Sequence, residues 1–312
     1  MTIIAGFSAS RQSSAPLHLA TQLARTTGEK IVAAAIVERG LPPGVDTIED
    51  QFQRHIAGEA ATSLERTIDA VRGDRDISMV IHHSTSIPRG LMELVDKHDA
   101  TSVVVGSSSA GLLGRVALGS VTERLVHTAA VPVAIAPRGY CPSSTPIQRL
   151  TAAYGGAADS VGLITTSVEL AERWNARLRI AAFTVRPYSM FGGSIDRSAE
   201  DLIIRQWRRR TADRVMKQLS EAGAQASVPN LDLEVGAGND WREAIDTVSW
   251  RSGDMLLLGS GAAGPRAHVF LGSAAAKILR HMSVPVMIVP KRTSTRRSGN
   301  RSLGPDWDDP GQ

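Results

Sequence analysis

Short apolar segments alternate along the chain with longer amphipathic segments, a pattern typical of parallel βαβ units. In the first half the apolar segments predict strands at 2–7, 30–37, 77–82, 101–105 and 131–136. The amphipathic segments predict a helix capped near Ser8 and ending near Arg25, followed by helices at 48–71, 87–97 and 119–129. The second half repeats the order, with strands at 150–154, 178–185, 231–235, 255–258 and 286–289. Both halves therefore predict an α/β fold, a five-stranded parallel sheet with helices on both faces.

One stretch recurs almost intact. VVVGSSSAGLLGRVALGSV begins at Val103 and LLLGSGAAGPRAHVFLGSA at Leu256, and Pro132 and Pro285 follow in the same register, 153 positions apart. A repeat this long indicates a duplicated domain, since solenoid repeats run to roughly 20 to 50 residues. We predict a first domain at 1–139, a Pro/Ser-rich linker at 140–148, a second domain at 149–291 and a disordered tail at 292–312.

Composition and charge narrow the class of protein. A chain of 312 residues is long enough for two domains, each with its own hydrophobic core. Its 42% hydrophobic and 21% charged residues are near the average for globular proteins. The lone cysteine, Cys141, allows no internal disulfide, and no signal peptide or long apolar run is present, so we predict a cytoplasmic protein without a membrane partner. The net charge of +4 gives little support to nucleic-acid binding, and the basic cluster at 205–217 is interpreted as a solvated helix face.

The repeated stretch has the features of an anion-binding loop. A strand that ends at Gly106 lets a ligand approach the backbone, and a helix start near Gly119 turns unpaired N–H groups toward the same gap. Ser120 adds a hydroxyl group, and Glu123 three residues later predicts a capping box. The competing interpretation is that the glycine and serine serve only as a turn and a cap.

Taken together, these motifs resemble the universal stress protein family in its tandem form, over roughly residues 1–292. The resemblance rests on a strand, a Gly-Ser loop, a nine-residue spacer, a second Gly-Ser that opens a helix, and a final strand introduced by Val-Pro. It implies two flavodoxin-like (HUP-type) domains with strand order 3-2-1-4-5, and an adenine-nucleotide pocket for ATP or AMP in many members. The implied function is a stress-response binding or signalling module, with no enzyme activity.

The resemblance also implies the site residues of each half. In the first half, the residues at the phosphates are Gly106, Ser109, Gly119, Ser120 and Val121, and Val37 contacts the base. In the second half, the corresponding residues are Gly259, Ala262, Gly272, Ser273 and Ala274, with Val185 at the base. Two departures weaken the match. Ser109 and Ala262 replace a glycine of the family pattern, while Ser8 and Gly155 stand where ATP-binding members usually carry an aspartate after the first strand.

The sequence also bears on three other functions. The stretch 259–264 spells a dinucleotide fingerprint, but it follows a fourth strand and lacks the acidic residue about 20 positions on, which opposes NAD binding. The two pockets could be degenerate, leaving a scaffold that binds no nucleotide. An ATP-hydrolysing α/β enzyme would need a glycine-rich loop after the first strand as well as the one after the fourth. Only GGAADS at 155–160, which contains Asp159, resembles such a loop, and it occurs in one half only. No catalytic residue and no metal site is predicted.

The fifth strands predict how the halves associate. The sequences VPVAIAP and VPVMIVP would form exposed apolar edges unless they pair. The family resemblance therefore implies that the two halves form an intramolecular pseudo-dimer, and further association into a homodimer remains a prediction.

Overall fold

A computed structural model of the chain describes residues 1–9, 13–40, 42–71, 73, 76–155, 160–185, 197–221, 232–262 and 269–290. In the first half, strands and helices alternate strictly. They are β1 (Thr2–Phe7), α1 (Ala15–Thr27), β2 (Lys30–Glu38), α2 (Thr47–Val71), β3 (Ile77–Ser84), α3 (Ile87–His98), β4 (Ala100–Gly106), α4 (Ser120–Thr128) and β5 (Val133–Ala136).

The second half repeats this order with one addition. Its elements are β6 (Arg149–Ala153), α5 (Ser160–Trp174), β7 (Arg177–Val185), α6 (Arg197–Glu221), β8 (Asp232–Gly238), α7 (Trp241–Asp246), β9 (Asp254–Gly259), β10 (Gly261–Ala262), β11 (Val269–Phe270), α8 (Ser273–His281) and β12 (Val286–Val289). The addition is the antiparallel pair β10–β11, which was not predicted. Each predicted strand is present, with its ends shifted by at most three residues.

The other ten strands form one continuous sheet in the order β3-β2-β1-β4-β5-β12-β9-β6-β7-β8. Within each half the neighbouring strands are parallel, and each half has the order 3-2-1-4-5. The strands β5 and β12 meet antiparallel, with Ile135 opposite Val286 and Val133 opposite Ile288. The two half-sheets therefore run in opposite directions and share their central pair.

Two layers of helices cover the sheet. On one face, α1, α2 and α5 share a buried cluster with alternate strand residues such as Ile3 and Ala33, and α6 continues this layer by packing beside α5. The helices α3, α4, α7 and α8 cover the other face, where Ile4 and Ala34 point. Because each helix buries only one side, none of the described helices combines the length and apolar character that crossing a membrane requires.

The first helix begins later than predicted. Helix α1 starts at Ala15 with Ser14 as its N-cap, and Pro16 lies in its first turn. Proline is well tolerated there because the N–H that it lacks would have no intrahelical partner. The prediction of a helix capped near Ser8 was therefore wrong, and residues 10–12 lie outside the described residues.

The predicted linker packs firmly against the first half. Gln22 of α1 is fully buried, and its Nε2 donates to the carbonyl oxygen of Thr145 at 2.9 Å. The Tyr140 hydroxyl donates to Oε1 of the same glutamine, and the Ile147 N–H donates to the Thr26 hydroxyl at 2.8 Å. Residues 140–148 are thus a strap held along α1.

Replacing Tyr140→Phe should lower the free energy of unfolding by about 1 kcal/mol, because buried Gln22 loses a hydrogen-bond donor. The same burial raises the pKa of Tyr140 to about 12, so the hydroxyl stays a donor throughout the neutral range. Urea denaturation measures the change. Cys141→Ser, at an exposed neighbouring position, is the control and should change little; equal stability of the two variants would show that the strap does not depend on this bond.

Candidate functional site

A cavity of about 350 Å³ opens at the carboxyl ends of β1, β2 and β4. This is the edge of a parallel α/β sheet where ligands bind, at the point where the strand order reverses. The cavity is lined by Gly6, Phe7, Ser8, Ser13, Pro16, Ala34, Ile36, Glu38, Ile87, Leu91, Val105, Gly106, Ser107, Ser108, Gly119, Ser120, Val121 and Thr122. Its volume lies near the lower end of the range for small-molecule sites, about 300 to 1,000 Å³.

The chemistry of the lining is uneven. Aliphatic side chains form one part of the wall, while serine and threonine hydroxyls surround the loop after β4 and the start of α4. Among the described lining residues, Glu38 is the one with a charged side chain. An anion here would therefore be held by N–H and O–H donors, not by a lysine or arginine. Within the described residues, no cluster of His, Cys, Asp or Glu could hold a metal ion.

The start of α4 faces the cavity without a side-chain cap. Its N-cap is Gly119, with φ −100° and ψ 170°, and no side chain accepts a hydrogen bond from the first turn. The predicted capping box between Ser120 and Glu123 is therefore wrong, because Ser120 is already the first helical residue. The N–H groups of the first turn therefore have no side-chain acceptor, and the positive end of the helix dipole faces the cavity.

Hydrogen bonds close the loop between β4 and α4 at its base. The Ser107 hydroxyl donates to the Ala136 carbonyl at 2.7 Å, and the Ala117 N–H donates to the Ser107 hydroxyl oxygen at 3.3 Å. The Ser108 N–H donates to the Ala117 carbonyl at 2.8 Å. These bonds hold both ends of the loop against the tip of β5, so the cavity wall formed by Ser107 and Ser108 is fixed from behind.

The same loop contacts the second half of the chain. The Val116 N–H donates to the Met282 carbonyl at 3.1 Å, and the Arg115 guanidinium donates to the His281 carbonyl and lies 3.5 Å from the Asp246 carboxylate. The loop thus touches the cavity on one side and the end of α8 on the other.

The second half carries the matching strand-end geometry 153 positions on. The Ser260 hydroxyl donates to the Val289 carbonyl at 3.2 Å, as Ser107 does to Ala136. The pair β10–β11 places Gly261 opposite Phe270, which corresponds to the contact between Ser108 and Ala117. The loop base is thus duplicated along with the sequence.

Five of the predicted site residues of the first half line the cavity, namely Ser8, Gly106, Gly119, Ser120 and Val121. The glycine at 106 lies close to α1, since a Cβ there would lie 3.2 Å from Cγ of Pro16. An added side chain would therefore require the Pro16 ring to give way by a few tenths of an ångström.

Two predicted residues lie elsewhere. Val37 is buried in the opposite face of the sheet, since Ala34, Ile36 and Glu38 face the cavity and side chains alternate along a strand. Ser109 is exposed and absent from the lining. Its φ is not positive, since Asp99 and Asn175 are the non-glycine residues with positive φ in the described part of the chain. Serine at this position therefore causes no backbone strain.

The predicted residues of the second half are only partly surrounded by described structure. Val185 and Gly259 end β7 and β9, and Gly155 lies two residues after the end of β6. Ala262 lies in β10, and Gly272, Ser273 and Ala274 lie at the start of α8. A Cβ on Gly259 would lie 3.4 Å from Cβ of Leu163, which takes the place of Pro16 in the first half. Residues 156–159, 186–196 and 263–268, including Asp159, lie outside the described residues.

The sequence interpretation missed several lining residues, above all Glu38, Ile36 and Ser108. Glu38 ends β2, and its Oε1 accepts a hydrogen bond from the Ile87 N–H at 3.2 Å, at the start of α3. One signal could have found it. A charged residue that ends an apolar strand at this edge of a parallel sheet points toward the ligand side.

Comparison with known proteins identifies relatives over nearly the whole chain. The sequence model of the universal stress protein family matches residues 1–137 and again 146–290. A universal stress protein of Mycobacterium tuberculosis is 31% identical over 294 residues, which cover 93% of this chain and 100% of that protein.

Solved structures give the same result for the fold. A universal stress protein of Archaeoglobus fulgidus superposes with a TM-score of 0.56 at 16% identity, covering 93% of this chain and 96% of its own. A structure from Pseudomonas aeruginosa, described as a universal stress protein, gives a TM-score of 0.53 at 13% identity, covering 93% and 92%. The chain belongs to the universal stress protein family, and carries its domain twice.

Proposed function

We propose that this chain is a stress-response binding module whose first half binds an adenine nucleotide, ATP or AMP, in the cavity at the ends of β1, β2 and β4. Ligand occupancy would be its signal. The described lining residues include no histidine, cysteine, lysine or arginine, so the cavity supports binding better than it supports group transfer. The family resemblance supplies the expectation of an adenine nucleotide.

The uncapped start of α4 is the observation that carries this proposal. Gly119, Ser120 and Thr122 line the cavity there, and the first-turn N–H groups have no side-chain acceptor. Unpaired donors at a helix N-terminus form a ready site for phosphate, and the neighbouring serine hydroxyls add further donors. We therefore assign the phosphate end of the ligand to this corner.

The opposite end of the cavity suits a group that donates hydrogen bonds. Glu38 presents a carboxylate, a group that accepts several hydrogen bonds, and its Oε1 accepts one from the Ile87 N–H at 3.2 Å. Ribose hydroxyls and the exocyclic amine of adenine are such donors. Ile36 and Leu91 offer aliphatic contact for the base between the two ends. Glu38 would thus supply the acidic anchor that Ser8 lacks.

Replacing Glu38→Gln should weaken AMP binding about fivefold, because a hydrogen bond to a charged acceptor is worth roughly 1 kcal/mol more than one to a neutral acceptor. Inorganic pyrophosphate, which has no ribose or base, should bind the variant no more weakly than it binds the natural protein. Isothermal titration calorimetry measures both ligands. Glu59→Gln, on the exposed surface of α2, is the matched control. Loss of affinity for both ligands alike would contradict this role for Glu38.

Titration of the natural protein with AMP and ATP tests the proposed function itself. We expect saturable heat and a rise in melting temperature, since a ligand at a hundred times its Kd adds about 2.7 kcal/mol of stability. No heat and no thermal shift at millimolar ligand would favour the scaffold with degenerate pockets. Steady release of phosphate from ATP would favour the hydrolase.

We infer that the two halves act as a pseudo-dimer that responds to nucleotide binding in the first-half cavity. The antiparallel pair β5–β12 supports this inference, as does the loop of 107–118 that reaches from the cavity to Met282 in the second half. A nucleotide that fixes the cavity side of this loop would also stabilise its contact with α8.

A further inference from the structure

The helices α2 and α6 occupy equivalent positions at the two ends of the molecule. Each follows the second strand of its half, each is 25 residues long, and each flanks an edge of the ten-stranded sheet, α2 beside β3 and α6 beside β8. Both lie in the same helix layer, because α2 packs with α1 and α6 packs with α5, and the cores of α1 and α5 are continuous.

Their charges are opposite. Helix α2 contains five acidic and two basic side chains, a formal charge of −3. Helix α6 contains four acidic and seven basic side chains, a formal charge of +3. Duplication placed the same structural element at both ends, and the two copies now differ by six charges.

The basic charge of α6 is exposed and largely uncompensated within the described residues. Arg205, Arg208, Arg209, Arg210 and Arg214 are all exposed. In the described part of this helix, the ion pair that forms joins Lys217 to Glu221 at 3.9 Å. On α2, Glu59 and Glu65 are likewise exposed, and no described cation pairs with them.

Exposed apolar side chains accompany the charges on both helices. On α2 they form a stripe at helical spacing, with Ile48 77%, Phe52 56% and Ile56 38% exposed. On α6, Leu202 is 62% exposed. Phosphate backbones would gain nothing from such residues, whereas a protein surface would bury them.

The opposite charges of α2 and α6 cannot pair with each other within one molecule. Ten strands separate the edges by nine spacings of about 4.8 Å, roughly 43 Å in all. A second copy placed edge to edge, however, would bring its α6 beside this α2 and continue the same helix layer. We propose that the chain associates head to tail, with the acidic, apolar face of α2 docking on the basic face of α6 in a second copy. Such a contact is heterologous, so it forms rings or short chains of molecules.

Sedimentation velocity on the full chain without nucleotide tests this surface independently of the proposed function. We expect the mean mass to rise with concentration at about 0.01 M NaCl and to fall at about 1 M, where the screening length drops from about 30 to 3 Å. The α6 variant R209E/R210E and the α2 variant E59K/E65K should each weaken association about tenfold. Combining all four substitutions in one chain should restore it, because the opposite charges meet again with their signs exchanged.

The matched control is R124E/R280E, which changes the net charge by the same amount as the α6 variant. It alters exposed arginines of α4 and α8, which lie in the other helix layer. It should associate like the natural chain. A single monomeric species at every concentration and salt would overturn the proposal, and so would a fourfold variant that stays as weak as the double variants. If the α6 variant instead loses binding to single-stranded DNA while the mass stays constant, α6 receives a polyanion and not a second copy.

Discussion

Replacing Gly119→Asp should abolish nucleotide binding while leaving the fold intact. The backbone at Gly119 has φ −100°, which any residue adopts, and a Cβ there would lie 3.5 Å from Cβ of Ser108, an ordinary contact. Aspartate is a preferred N-cap residue, so its carboxylate would accept hydrogen bonds from the first turn of α4. It would occupy the donors that the proposal assigns to phosphate and repel that phosphate by roughly 4 kcal/mol at 4 Å, about a thousandfold in Kd.

Calorimetry with AMP and ATP measures this loss, and a thermal melt measures the fold. The matched control is Gly272→Asp, the N-cap of α8 in the second half, where no atom lies within 4 Å of the added Cβ. It should leave the first cavity unaffected. If Gly119→Asp binds within about twofold of the natural affinity, the nucleotide does not lie at α4; loss of binding only in Gly272→Asp would assign it to the second half.

Replacing Gly236→Ala should destabilise the protein by about 3 kcal/mol or more, the upper range for overpacking. A Cβ on Gly236 would lie 2.1 Å from the Ala244 carbonyl oxygen and 2.9 Å from Cδ1 of Phe183. The nearest atom is backbone of α7, whose residues Ala244 and Ile245 are buried, so no side-chain rotation relieves the clash. The whole of α7 would have to move away from β8.

A thermal melt should show the Gly236→Ala variant at least about 6 °C below the natural protein. Gly58→Ala is the control, at an exposed position inside α2 with nothing within 4 Å of the added Cβ. It should be neutral or stabilising by up to about 1 kcal/mol, since alanine favours a helix over glycine. Equal melting temperatures for the two variants would mean that α7 does not pack on β8 as described.

The fold was predictable from the sequence because its central strands are buried on both faces and therefore form uninterrupted apolar segments. Because the sequence repeats after 153 residues, the order of strands and helices predicted for the first half could be applied to the second. The strap could not be predicted, since Gln22 and Thr145 are polar residues distant in sequence that meet only in the folded chain. The β10–β11 pair escaped prediction because it contains only two residues per strand.

The candidate site was predictable in outline but not in detail. The glycines at 106 and 119 carried a clear signal, because one ends a strand and the other precedes a helix at the carboxyl edge of the predicted sheet, where ligands bind. The choice between Ile36 and Val37 could not be made, since both are aliphatic, the strand is buried on both faces, and a shift of one residue reverses the face. Three consecutive serines, 107–109, likewise gave no means to tell which two face the cavity. Hydrogen bonds to Ala136 and Ala117 decide that, and they exist only in the closed loop.

A crystal structure of the full chain grown with AMP tests the central claim most directly. The account predicts nucleotide density in the first-half cavity, with phosphate oxygens within hydrogen-bond distance of the Ser120 and Val121 N–H groups and the ribose or base next to Glu38. An empty cavity at saturating AMP, or nucleotide bound only elsewhere on the chain, would contradict it.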